Sequence, residues 1–72
     1  MRSVSLADAI GFAIELEKSG RKFYRQCREN ARKDEVREIF AYLEREGKEH
    51  VSHLQKMLTV VREGESEALG RD

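Results

Sequence analysis

Four side chains in this 72-residue chain have the types and spacing that suit a transition metal: Glu17 in the first half, and Glu46, His50 and His53 in the second. Carboxylate oxygen and imidazole nitrogen are the hard and borderline donors that hold iron, manganese or zinc. Steps of four and three join Glu46, His50 and His53, which puts them on one stripe of a helix. Glu49 adjoins His50, but its own stripe runs through Arg45, Ser52 and Lys56, so it reads as a solvated residue. Tyr24 and Cys27 follow Glu17 along the first segment. A tyrosine there reads as a core side chain with a locally bonded hydroxyl, and a thiol with no cation in its seam reads as a small hydrophobe.

Helices must position these residues. The chain has no proline and is rich in Glu, Lys, Arg, Leu and Ala, a composition that favours helix over strand. Ser5, with Asp8 three residues later, marks the start of a first helix, and Asp34 in "ARKDEVREIF" is expected to cap a second. The spacing predicts helices over about 5–31 and 34–63 with the break near Lys33. A polar tail over about 64–72 is expected because Gly64 and Gly70 bracket a stretch with little to bury. The expectation is a single all-α domain, an antiparallel helical hairpin.

Steps of four and three trace an apolar seam on each helix. The first runs from Leu6 through Ile10, Ala13, Glu17, Gly20, Tyr24 and Cys27 to Ala31. The second runs from Val36 through Phe40, Leu43, Gly47, His50, Leu54 and Met57 to Val61. A short turn makes the helices antiparallel, so residues equally far from it share a height. Glu17 stands 16 positions before residue 33 and His50 stands 17 after it. The polar interruptions of the two seams are therefore expected at one level, with His50 pointing inward. An unpaired carboxylate in an apolar core costs several kcal/mol, so Glu17 must be protonated, hydrogen-bonded, ion-paired or bound to a metal, with His50 the partner at hand or a fellow ligand. Both answers satisfy the same geometry.

The apolar surface is wider than one hairpin can cover, since Ala9, Phe12, Leu16 and Phe23 flank the first seam and Ile39, Val51, Leu58 and Val60 flank the second. A chain this short also needs a metal or a partner to supplement its core. Two copies about a two-fold axis would form a four-helix bundle and bring two Glu17 and two His50 to one layer. The partner expected is therefore a second copy, at least a dimer.

Other classes fit poorly. Fourteen basic residues balance fourteen acidic ones, which gives no global field for nucleic acid or an anionic membrane. Arg21, Arg25, Arg28 and Arg32 form a basic stripe, but without interleaved aromatics it reads as a solvated face. A single cysteine excludes an internal disulfide, and with no long apolar run a cytoplasmic location is expected. No Gly-rich phosphate loop or nucleophile elbow is present.

The segments "AIELEKSGRKFY" and "DEVREIFAYLEREGKEHVSHL" resemble the rubrerythrin branch of the ferritin-like superfamily, over about residues 6–60. The resemblance implies a di-iron protein that reacts with oxygen or peroxide, oxidising Fe(II) or reducing peroxide. Its short single-hairpin members, similar to encapsulated ferritins, assemble as dimers or rings, inside a protein shell in some cases, and draw on electron-donor proteins. A Glu seven residues before a Tyr matches Glu17 and Tyr24, and the resemblance implies for Tyr24 either a redox role near the metals or a supporting one behind their ligands. The family's Glu-x-x-His matches at His50 alone, because the carboxylate that should bridge two metals is Gly47 here. Three readings follow from that departure. Glu46 or His53 replaces the missing ligand, or a dimer holds one metal or none between its Glu17 and His50 pairs, or a degenerate site leaves a non-catalytic interaction bundle.

Overall fold

The computed structural model describes residues 5–70, with side chains through residue 64. It consists of two helices, α1 (Leu6–Asn30) and α2 (Asp34–Gly70), and no strand occurs among the described residues. Ser5 has extended backbone and its Oγ accepts from the Asp8 N–H at 3.0 Å, so the first free donors of α1 are capped and an acidic residue faces the positive end of the dipole. Ala31 leaves the helix with ψ 136°, and its carbonyl accepts from Arg37 Nε at 3.0 Å, which pins the turn onto the first turn of α2.

Two boundaries differ from expectation. Asp34 is the first residue of α2 rather than its cap: Lys33 supplies the carbonyl that accepts the Arg37 N–H at 3.1 Å, and the Asp34 carboxylate lies 3.5 Å from the Arg37 guanidinium. The second helix also runs on through Gly64 to Gly70 instead of ending near residue 63. One glycine in a helix costs about 1 kcal/mol relative to alanine. Glu, Ala and Leu beyond it are good helix formers and no proline stops them, so the single glycine is outweighed.

The helices lie side by side in a layer 60 × 27 × 11 Å, and 11 Å is the thickness of one helix. The radius of gyration is 17.0 Å, against about 11 Å for a compact chain of this length. The accessible surface is 6214 Å², against about 4600 Å² for a compact monomer of this mass. Among the described residues only Ile10, Ile14 and Val51 are buried apolar side chains, with Leu54, Leu58 and Val61 packed against them. Nearer the turn, Tyr24 stacks on Phe40 with ring centroids 6.4 Å apart.

This packing corrects the orientation of both seams. Ile14, Val51 and Leu58 face the opposite helix, while Leu6, His50 and Met57 are exposed. Strict four-and-three counting follows the middle of a wide apolar arc. Only one edge of that arc meets the sister helix, and the other edge stays open, carrying Phe12, Leu16, Phe23, Ile39 and Val60. His50 therefore points between the covered and the uncovered halves of the arc, not directly inward.

Candidate metal centre

The antiparallel pairing sets α1 and α2 so that Glu17 Oε2 lies 3.5 Å from His50 Nδ1. One turn earlier on α2, Glu46 Oε2 lies 3.9 Å from His50 Nε2. The imidazole is thus bracketed, with one carboxylate toward each ring nitrogen. None of the three is deeply buried: the side chains of Glu17, Glu46 and His50 are 36%, 43% and 58% exposed. They occupy the middle of the open apolar side, between Leu16 and Phe23 of α1 and Ile39 and Met57 of α2. His53 is exposed one turn further along the same stripe, and no hydrogen bond or ion pair involves it among the described residues.

Donors bound 2.0–2.2 Å from one ion lie roughly 3–3.5 Å from each other, so Glu17 and His50 Nδ1 have the spacing of two ligands of a shared metal. Glu46 sits at the other nitrogen, where a ligating histidine commonly donates its second N–H to an orienting carboxylate. The three groups cannot converge on one ion around a single ring. Accordingly, no group of three or more His, Cys, Asp or Glu side chains able to hold a metal occurs among the described residues. The donor set fits half a metal site, and a single hairpin does not complete it.

Gly47 is buried at the helix contact. A Cβ built there would stand 2.7 Å from Arg21 Cγ, 3.4 Å from Arg21 Cδ and 3.5 Å from Glu17 Oε2. The space left by the absent side chain is filled by the aliphatic stem of Arg21. A carboxylate bridge from position 47 and Arg21 in this rotamer exclude each other, so the residues present do not fit a metal pair bridged from that position.

The remaining candidates are accounted for locally. Tyr24 is half-buried, with its ring against Phe23 and Phe40 at centroid distances of 5.9 and 6.4 Å. Cys27 is a free, half-buried thiol. Glu44, unremarked as a site residue in the sequence, is the most enclosed carboxylate of any ion pair here at 15% exposed, and it draws in Arg25 at 3.1 Å and Arg28 at 3.3 Å. Its signal was positional: Glu44 and Arg25 lie within one helical turn of the same height on facing helices.

An antiparallel helical hairpin with carboxylates and a histidine beside an exposed apolar side is consistent with a ferritin-like chain. The family profile described as Rubrerythrin matches residues 8–71, and the chain belongs to that family, whose members typically bind iron. No curated protein and no solved structure matches it. No helix among the described residues is long and apolar enough to cross a membrane.

Proposed function

We propose that this protein binds iron at a centre formed between two copies that pair on their apolar sides into a four-helix bundle. The observation that carries this reading is the position of Glu17, Glu46 and His50, an incomplete ligand set standing in the middle of an uncovered apolar surface. A two-fold axis through that surface doubles every donor, and two half-sites supply at least two carboxylates and two imidazoles. The excess surface of the single layer and the direction of His50 between the arc's covered and uncovered halves support the same arrangement. Manganese or zinc suits the same donors.

In this reading Glu17 and His50 hold the metal, Glu46 orients the imidazole or adds a ligand, and His53 is the reserve donor one turn on. Leu16, Phe23 and Ile39 exclude water, which strengthens each ionic contact inside the interface. Bound iron supplies electron-transfer chemistry: oxidation of Fe(II) as substrate, or reduction of peroxide. Tyr24, seven residues from Glu17, is the nearest redox-capable ring of α1 and lines a hollow with Glu17, Gly20 and Phe23. Sustained peroxide reduction consumes electrons, so an electron-donor protein is part of that version, and a protein shell is the partner that the family likeness adds.

Protein purified after iron-supplemented growth should carry iron and oxidise added Fe(II), and Glu17→Ala and His50→Ala should lose both. Wild-type protein that neither holds nor oxidises iron contradicts this function. One observation favours a second reading, a non-catalytic helical-bundle module: the Arg21 stem fills the place of the bridging carboxylate. Under that reading Gly47→Glu combined with Arg21→Ala gains iron over the wild type, whereas an intact centre is not improved by it.

A further inference from the structure

The side of the layer away from the apolar surface carries a groove of about 460 Å³, open to solvent and lined chiefly by Arg21, Arg25, Arg28, Glu44, Arg45 and Lys48. Its volume lies in the range of small-ligand sites. Five cations surround one carboxylate in a chain whose formal net charge is zero. Glu44 engages Arg25 and Arg28, but no carboxylate pairs with Arg21, Arg45 or Lys48 among the described residues. Arg21 Nε is enclosed without a hydrogen-bond partner. Cations gathered this closely repel one another, and an anion among them removes that penalty.

Gly47 explains how the groove is built. Arg21 belongs to the helix contact, where its stem lies over Gly47, and the same side chain lines the groove. The glycine is thus a passage for an arginine as well as a missing carboxylate. Guanidinium forks match the paired oxygens of phosphate, and Lys48 adds a mobile point charge. No aromatic side chain lines the groove, so it has no platform on which a nucleobase could stack.

We propose that this groove is a binding site for a compact polyanion of the phosphate class, recognised through its phosphate oxygens alone. The reading is independent of the iron centre on the other side. The test is calorimetric titration of the full chain, freed of metal by a chelator, with pyrophosphate and separately with ATP at low ionic strength. Saturable binding of pyrophosphate at one site per hairpin is expected, with ATP no tighter. Arg45→Gln and Lys48→Gln, at exposed positions, should each weaken binding at least tenfold, and Arg32→Gln, which removes the same charge outside the groove, should leave it within twofold. Gly47→Ala should weaken binding with no change of charge, provided its helical circular dichroism matches the wild type; if it does not, the two exposed variants decide. Absence of saturable binding, equal losses in Arg32→Gln and Arg45→Gln, or much tighter binding of ATP would overturn the proposal.

Discussion

The two sides of this one-layer hairpin solve the same problem in different ways. Each sets charged groups beside the contact between the two helices, where there is little core to spare. On the basic side the one carboxylate is answered within the chain, because Glu44 is enclosed by Arg25 and Arg28 at ion-pair distances, while cations remain in excess around it. On the apolar side Glu17, Glu46 and His50 meet at 3.5 and 3.9 Å, remain open, and stand among large apolar side chains that have no covering. The first side thus has an ion-pair partner for its carboxylate within the chain, whereas the second leaves its large apolar side chains exposed, the surface on which the proposed pairing of two copies rests.

The largest expected effect removes what the two sides share. Ile14→Ala deletes buried volume from a core with three buried apolar members among the described residues and should cost about 2–5 kcal/mol in urea unfolding, with both sides lost together. Retention of either side's binding in unfolded protein would break the comparison. Next comes the apolar side alone. Leu16→Glu places a charge on the exposed patch and should weaken self-association by about 2 kcal/mol or more, roughly thirtyfold, in sedimentation equilibrium, with no effect on pyrophosphate binding. A wild-type chain that is monomeric throughout would contradict it.

Smaller effects separate ligand from scaffold. Glu17→Gln should change the stability of metal-free protein by only about 0–1 kcal/mol, because its pairing with His50 is solvent-exposed, while bound iron falls to background. Imidazole binds metal only when neutral, so iron binding should weaken as pH falls, and equilibrium dialysis across an acidic series checks that sign. The smallest effect is Gly11→Ala. A Cβ at position 11 meets nothing within 4 Å, so thermal unfolding should show a gain of roughly 0.5–1 kcal/mol. Gly47→Ala has the same helical advantage but must move Arg21, so its gain should be smaller or reversed.

Much of the fold was legible from local signals. The Ser5 cap, the break around residues 31–33 and the antiparallel count that levels Glu17 with His50 all depend on short-range rules and on chain length from one turn. The rotation of the helices was not legible, because an apolar arc wide enough for two neighbours does not say which half meets the sister helix. That is why Val51 and Leu58 took inward places assigned to His50 and Met57. Asp34 was read as a cap from its type, although Lys33 and Asp34 compete for that position within one residue. The relation of Arg21 to Gly47 was available by the same counting that matched Glu17 with His50. It escaped notice because an arginine stem is not read as core material, although its methylenes pack as well as an aliphatic side chain. The candidate metal side chains were legible as types, while the second copy that the proposed centre requires is not displayed by one sequence.

The central claim, a metal centre that exists only when two apolar sides meet, is tested most directly by measuring iron per chain in wild type and Leu16→Glu prepared identically with Fe(II). The expected result is iron in the wild-type dimer and background iron in the folded, monomeric variant, whose Glu17, Glu46 and His50 are all intact. Equal iron in the two proteins, or none in the wild type, would contradict it.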